Sequence, residues 1–491
     1  MSLKEELMEA VGSSQVKDDS KTLEEYSRDQ SFVPARRPDY VVFPGRVEEV
    51  QEVVRIANRH LAPVIPYSSG LNLHGATIPD HGGIILNFSR MNKIEEINTR
   101  DRFAIIEPGV TFRQLQEELN KEGFRILPPF GVPSERSVIS SYIERDPSLA
   151  SADFDYGNDL MMDMEIVLPN GDIFRTGLWS ATGGKEAGSP WGPMSMITYR
   201  FWTGAQGTFG VVTRMVVKIE YIPKKSKVFF LTFDKLEDTI EPLKRIQRKE
   251  IGMECFLLNS FNLSALLAED WEVPDRFPCK PKESGQFEAQ RKTLPPWTLM
   301  IRLYGLIRRP EERLAYEEEV LREVGAQANV EVKETVDGIV GLESIVLGEL
   351  LRPWGILKKF NYRGTCHPLA FYAPLDRVAD LEKLLDQMAE AYGYPGKDIG
   401  KYVLPIERGR SFYCEFDFHC DFENKEETER VKGLWLKASE QLMDGGAYFE
   451  RPYGAWAEMV YRRAGAYAAK LKDLKGELDP NNVMNPGKLC F

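Results

Sequence analysis

The chain has 491 residues, 43% hydrophobic and 28% charged, with a formal net charge of −12 at pH 7. That length exceeds one hydrophobic core and predicts two or three domains. The acidic balance argues against a nucleic-acid partner, no apolar run reaches the ~18–20 residues that span a bilayer, and the first residues lack the apolar stretch of a signal peptide, so a cytoplasmic globular protein is expected.

In chain order, Val47–His60 has helical period, with Val50, Val53, Val54 and Ala57 on one stripe. Pro63 ends it, and a short strand, Val64–Pro66, leads into the loop Ser68–Gly75. Strands follow at Gly83–Phe88 and Phe103–Glu107, then a helix carrying Leu115 and Leu119. No G-x-G-x-x-G follows the first strand, which argues against a dinucleotide site of the doubly wound kind. The long irregular stretch Pro128–Asp159 is of a length that is usually functional. Met164–Thr176 reads as two strands around Pro169-Asn170-Gly171, and Gly204–Ile219 as a Gly-rich turn entering a β-branched strand.

Composition changes near Pro223-Lys224-Lys225. Beyond it, strands are predicted at Val228–Phe233, Leu299–Leu303, Leu369–Ala373 and Phe412–Phe422, with helices near 237–249, 311–324, 376–392 and 425–443. This pattern predicts helices packed on a sheet. The last segment, rich in Pro, Asn and Gly from Pro480 to Gly487, reads as a docked loop. The six cysteines, Cys255, Cys279, Cys366, Cys414, Cys420 and Cys490, show no C-x-x-C spacing and read as buried thiols.

In Phe412–Phe422, alternation places Phe412, Cys414, Phe416, Phe418, Cys420 and Phe422 on one face, and Tyr413, Glu415, Asp417, His419 and Asp421 on the other. Glu415, Asp417 and His419 project the same way. Neighbouring carboxylates would raise one another's pKa and that of His419, and such a row suits a general base. It could instead hold a metal. Two further candidates are Leu351–Gly355, which combines Arg352 with Trp354, and the pair Arg363 and His367.

Three stretches in order, Pro63–Ile94, Tyr156–Gly177 and Trp202–Ile219, resemble the vanillyl-alcohol oxidase and p-cresol methylhydroxylase family of FAD-binding oxidoreductases. The closing Asp479–Leu489 is similar to that family's tail. The resemblance implies an α+β, two-domain fold: an FAD-binding domain over 1–222, a cap of antiparallel sheet covered by helices over 223–446, and a segment over 447–491 that returns to the FAD domain. It implies FAD as cofactor, with contacts from Pro66, Tyr67, Ser68, Ser69, Gly70, Leu71, Asn72, His74 and Gly75 of the pyrophosphate loop. Further contacts are expected from Pro108, Pro133, Ser134, Ser137 and Val138, from Tyr156, Gly157 and Asn158, from Gly204, Gly207, Gly210, Val211 and Val212, and from Asn485 and Lys488. Physically, Gly70 and Gly75 would let backbone N–H groups approach an anion, and Ser68, Ser69 and Asn72 would add donors.

Where some relatives tether the flavin through a histidine this chain has Leu71, so FAD is expected to bind without a covalent link; a link at Tyr413 is the alternative. The resemblance implies hydride transfer from a small alcohol or para-substituted phenol to flavin N5. Arg451 is assigned to hold a phenolate, with Tyr448 or Tyr453 as its partner. Asp417, Glu415 and His419 are base candidates, and Asp159 is placed near N5. No metal is expected, because the His-rich motif of the metal-using 2-hydroxyacid dehydrogenases is absent. The alternatives are such a 2-hydroxyacid dehydrogenase, similar to D-lactate dehydrogenase or the flavin subunit of glycolate oxidase, and a flavin electron-transfer subunit. A separate electron-acceptor protein and a homodimer are the partners implied.

Overall fold

The computed structural model describes residues 1–69, 71, 73–150, 160–193, 196–252, 254–336 and 338–491. The expected flavin contacts Gly70, Asn72, Tyr156, Gly157 and Asn158, and the expected catalytic Asp159, lie outside the described residues.

The helix Val47–His60 buries Val50, Val53, Val54, Ile56 and Ala57, and these pack with strand residues Val42, Val64, Ile84 and Leu86 in one core. Tyr40–Val42, Ile84–Asn87 and Val64–Tyr67 pair in parallel, with the short Val16–Lys17 antiparallel at the edge. Parallel neighbours need a crossover, and the helix supplies it. A second sheet is antiparallel, in the order Ile94–Asn98, Phe103–Ile106, Val211–Lys218, Met161–Val167, Ile173–Arg175. The helix Phe112–Lys121 packs against it, its first turn capped by the Thr111 hydroxyl, which accepts from the Gln114 amide at 3.2 Å.

From Lys225 onward, all the strands among the described residues form a single six-stranded antiparallel sheet, in the order Lys225–Phe233, Trp297–Gly305, Glu254–Asn259, Gly400–Ile406, Ser411–Phe418, His367–Ala373. One face is covered by the helices Ile240–Arg248, Pro310–Ala328, Leu375–Ala391 and Lys425–Asp444. The other carries Phe230, Phe256, Tyr372, Tyr402 and Tyr413, against which Phe130 and Leu149 pack from the segment 128–149. The α+β architecture with an antiparallel sheet under helices is as expected. Two of its strands, Glu254–Asn259 and Gly400–Ile406, were not anticipated. They are buried almost throughout, so they lack the polar/apolar alternation that marks a half-exposed strand.

The strand expected to run to Phe422 ends at Phe418. Its next two amides leave the ladder for side chains: His419 N–H donates to the Tyr394 hydroxyl at 2.9 Å, and Cys420 N–H to Thr365 Oγ1 at 3.3 Å.

The closing segment is docked. Val64 N–H donates to the Val483 carbonyl at 2.7 Å and Asn485 N–H to the Val64 carbonyl at 2.9 Å, extending the parallel sheet by one bridge. The Lys475 ammonium is buried and donates to the carbonyls of Thr208 (2.6 Å) and Met484 (2.8 Å) and to Asp479 (2.6 Å). A second buried link joins the two parts of the chain: Glu254, on the six-stranded sheet, accepts from Arg125 at 2.6 Å and from Arg302 at 2.7 Å. Among the described residues no helix is long and apolar enough to cross a membrane.

Candidate active site

The strand Ser411–Phe418 behaves as its alternation requires on the apolar side: Phe412, Cys414, Phe416 and Phe418 are fully buried under the helices. The opposite face is not solvated. A 3-10 stretch, Gly355–Tyr362, lies across it and inserts Lys359. The Lys359 ammonium donates to Asp417 Oδ2 at 2.7 Å and to Glu415 Oε1 at 3.2 Å. The two carboxylates hold the ammonium well above its ordinary range despite its burial. Burial, opposed by Lys359, raises Glu415. The Cys366 thiol donates to Asp417 Oδ1 at 3.3 Å, and burial together with Asp417 pushes that thiol well up.

Tyr413 sits on the same face, two residues before Glu415. Its hydroxyl donates to Glu415 Oε2 at 2.8 Å and accepts from Arg451 Nη2 at 3.1 Å. Arg451 also pairs with Asp146, which accepts from Arg136 at 3.1 Å. Arg136 reaches Glu144 at 2.6 Å, and Glu144 accepts the Tyr453 hydroxyl at 2.9 Å. A single polar chain therefore runs from Tyr453 to Cys366. It borders a cleft between the sheet and the segment 129–147, walled by His74, Phe130, Pro133, Arg136, Asp146, Lys359, Cys366, Tyr402, Tyr413, Glu415 and Arg451. The Tyr402 hydroxyl, on a side chain 3% exposed, has no protein partner. An unpaired buried hydroxyl costs on the order of 1–3 kcal/mol, which favours a ligand that bonds it.

A second cavity lies beneath the parallel sheet. Pro66, Ser68, Ala76, Thr77, Ser140, Gly207, Gly210, Val211, Val212 and Asn485 line it. A Cβ at Gly207 (φ +73°) would stand 2.9 Å from Pro66 Cγ, and one at Gly210 (φ +139°) 2.7 Å from the Val167 carbonyl oxygen, so both positions need glycine. Asn485 donates to the Gln206 carbonyl at 2.7 Å, while its buried Oδ1 has no partner. A cradle closed by glycines, with an unsatisfied acceptor and a serine on its wall, fits a cofactor with ring and ribityl donors.

Other residues expected to contact the flavin are not among those lining this cavity, and most of them have partners within the protein. Tyr67 packs on Tyr26 with ring centroids 4.8 Å apart. Gly75 turns its amide to Asp29 Oδ2 at 2.7 Å, and its own Cβ position is filled by Val33. Ser134 accepts from Arg113 at 2.7 Å. Ser137 donates to the Pro108 carbonyl at 2.6 Å while capping the helix Val138–Ile143, whose Val138 is core. Ser69 and Leu71 are part-exposed, and Gly204 donates to the Ile143 carbonyl at 2.8 Å. Lys488 pairs with Asp80 at 3.1 Å beside a third cavity, of about 380 Å³, whose wall includes His74, His367, Trp435, Tyr453 and Trp456.

Among the catalytic candidates, Tyr448 is turned outward, 61% exposed, because its backbone pairs with Tyr372 across the sheet edge. Asp417 is sealed behind Lys359. His419 stacks on Phe261 at 5.0 Å and bonds the Thr365 carbonyl through Nδ1 at 2.9 Å. Burial lowers it to about 3, the reverse of the rise expected from its acidic neighbours, so it is neutral and off the cleft. Arg352 is exposed, Arg363 pairs with Glu427 at 3.2 Å, and His367 stacks on Phe32 at 4.0 Å. Cys366, Asp417 and His419 bring ligand atoms within 4.8 Å of one another. The Lys359 ammonium already occupies the carboxylate there and would repel a divalent ion.

Sequence reasoning missed Lys359, Tyr402, Asp146, Arg136 and Glu144. The last three fall in the irregular stretch 128–159, where the residues singled out were others, among them Pro133, Ser134 and Ser137. Lys359 stands in the largely apolar run Gly355–Phe360, a signal that was readable.

A sequence-family profile described as an FAD binding domain matches residues 38–177. Along nearly its whole length the chain is similar to the 4-cresol dehydrogenase [hydroxylating] flavoprotein subunit of Pseudomonas putida, 25% identical over 484 residues, 92% of this chain and 88% of that one. The chain is an FAD-dependent oxidoreductase with the fold of p-cresol methylhydroxylase. The solved structure of p-cresol methylhydroxylase with substrate bound shares its fold, with a TM-score of 0.80 at 20% identity, covering 100% of this chain and 96% of that one. The oxidoreductase is also similar to glycolate oxidase subunit GlcD of Bacillus subtilis (strain 168), 25% identical over 506 residues, 99% of this chain and 96% of the relative.

Proposed function

We propose that this flavoenzyme oxidises a small alcohol of the para-substituted phenol type, with 4-hydroxybenzylic compounds as the substrate class. The observation that carries the reading is the convergence of the Arg451 guanidinium, the Tyr413 hydroxyl and the unpaired Tyr402 hydroxyl on one cleft wall. A fixed cation flanked by two phenolic hydroxyls, of which that of Tyr402 has its proton uncommitted, is suited to hold a developing oxyanion in a site sheltered from water. Arg451 takes the role expected for it, with Tyr413 and Tyr402 as its partners in place of Tyr448; Tyr453 supports it through Glu144 and the Arg136–Asp146 pair.

Bound FAD supplies the hydride acceptor at N5. Loss of the phenol proton raises electron density at the para carbon, so the attached carbon releases hydride more easily. The substrate becomes a quinone methide or an aldehyde according to its substituent. We assign Pro66, Ser68, Gly207, Gly210, Val211, Val212 and Asn485 to the cofactor cradle, and hold that FAD binds without a covalent link, since the Tyr413 hydroxyl is engaged on both sides. Electrons leave for oxygen or a separate acceptor protein.

A second reading, oxidation of a 2-hydroxyacid, draws on Lys359, a second buried cation on the same cleft that could pair with a carboxylate. Anaerobic titration of the holoprotein with 4-hydroxybenzyl alcohol and then D-lactate separates the two: bleaching of the flavin by the phenol alone supports the first, and bleaching by lactate alone replaces it. Acid precipitation reports the link, a yellow pellet meaning a covalent flavin.

A further inference from the structure

A phenol that binds at Arg451 must lose its proton, and Arg451 cannot take it, because a guanidinium only donates. The geometry points to Tyr413 and Glu415 as a two-step proton relay, held in place by Lys359, that carries the substrate's hydroxyl proton away from the cleft. This inference rests on the phenol reading above.

The relay is built by the strand. Residues two apart on a strand share a face, so Tyr413 and Glu415 stand side by side, and the hydroxyl already donates to Glu415 Oε2 at 2.8 Å. Tyr413 accepts one hydrogen bond, from Arg451, and lines the cleft. In the transfer the substrate O–H bond breaks and its proton goes to the Tyr413 oxygen. The proton that Tyr413 held passes to Glu415 Oε2. Tyr413 ends neutral, Glu415 ends as the neutral acid, and the substrate oxygen carries the charge beside Arg451. No electrons move in this step.

Glu415 can accept only if it begins ionised, and burial opposes that. The groups that face it are Lys359 from the 3-10 stretch, Tyr413 and Asp417 from its own strand, and Tyr402 from the neighbouring strand, with Cys366 and Arg451 one group further out. Among the described residues Lys359 is the one cation that bonds Glu415 directly. It also bonds Asp417 at 2.7 Å, which anchors the ammonium. Lys359 is thus a positioning residue. It stabilises the Glu415 carboxylate before the transfer and fixes its Oε1, leaving Oε2 for Tyr413.

The test reads ionisation of a bound ligand rather than turnover. The holoprotein is mixed with 4-hydroxybenzaldehyde, whose phenolate absorbs at longer wavelength than the phenol, at a pH where the free ligand is the phenol, and a pH indicator reports protons released to the medium. In the native protein the phenolate band should appear with almost no proton released, because Glu415 keeps it. In Glu415→Gln each phenolate formed should release one proton. Lys359→Met, in which Glu415 begins protonated, should also release it, and Lys359→Arg should restore the native count in part, which a merely structural lysine would not produce. Tyr413→Phe, which keeps the ring and Glu415 but breaks the path, should slow the appearance of the band. One proton released per phenolate in the native protein, or an unchanged rate in Tyr413→Phe, overturns the relay and leaves Arg451 alone responsible. A native protein that does not bind the aldehyde at any pH overturns the phenol reading, and the relay with it.

Discussion

Arg451 donates a 3.1 Å hydrogen bond to the Tyr413 hydroxyl across 38 residues of sequence, joining the segment that follows the six-stranded sheet to the middle of the strand that roofs the cleft. Replacing Arg451 by Met removes the fixed cation and also leaves Asp146 with Arg136 alone. We expect kcat/KM for a 4-hydroxybenzylic alcohol to fall by about 10²-fold or more, as for loss of one preorganised oxyanion donor. Arg451→Lys should recover little, because a single ammonium cannot bond Asp146 and Tyr413 in the same plane. Steady-state kinetics on both variants check this, and full activity in Arg451→Lys would remove the guanidinium from the mechanism.

Gly207 should control cofactor occupancy. A Cβ there would press on Pro66 at 2.9 Å with the backbone at φ +73°, so Gly207→Val combines strain with a filled cradle. The expected outcome is a folded protein that purifies with less than a tenth of the native flavin-to-protein absorbance ratio. A native ratio in a folded variant would place the flavin elsewhere.

The buried Arg125–Glu254–Arg302 cluster should be the main polar contributor to stability between the two parts of the chain. Removing one partner of a buried ion pair costs about 3–5 kcal/mol because the other charge stays buried and uncompensated. Glu254→Gln should therefore lower the thermal midpoint strongly, and Arg125→Met less so, since Arg302 still neutralises Glu254. Equal midpoints for Glu254→Gln and the native protein would contradict this.

Acid should act through buried histidines. His367 and His419 are each lowered to about 3 by burial, below the ordinary histidine value of about 6.5. The folded state binds fewer protons than the unfolded one between those limits, so stability is intact above pH 6.5 and falls as pH drops below it. At pH 5 the loss is about 2 kcal/mol for each histidine. Asp163 and Glu349, each raised to about 7 by burial, change stability in the opposite sense over the same range. The test is therefore a comparison: His367→Phe, which keeps the stack on Phe32, should gain stability relative to the native protein at pH 5 but not at pH 7.5, by denaturant titration. A gain equal at both pH values would show that protonation is not the cause.

How much was legible in the sequence follows from which forces act locally. The helix Val47–His60 and the four helices that cover the six-stranded sheet carry their apolar stripes openly, and the alternation in Phe412–Phe418 predicted correctly which side chains enter the core. The buried strands Glu254–Asn259 and Gly400–Ile406 carry no such signal. The polar face of the roof strand was visible, yet its chemistry was decided by Lys359, 56 residues from Glu415 in sequence. His419 was misjudged because the strand ends one residue before it, where Tyr394 and Thr365 capture the amides of His419 and Cys420. Local pattern cannot reveal a partner from another element.

The bridge between Val64 and Met484 has a consequence for how the molecule is made and remade. The first sheet and the closing segment that completes it are separated by the whole six-stranded sheet, so that sheet is a long excursion spliced between two strands that must meet. Contacts of such high sequence separation are slow to form, and the cavity proposed as the flavin cradle, whose wall includes both Gln206 and Asn485, is finished only when this circuit closes. Anyone exchanging the cap for that of a relative would therefore have to cut and rejoin the chain at two points, one near Tyr221 and one ahead of the segment that holds Lys475.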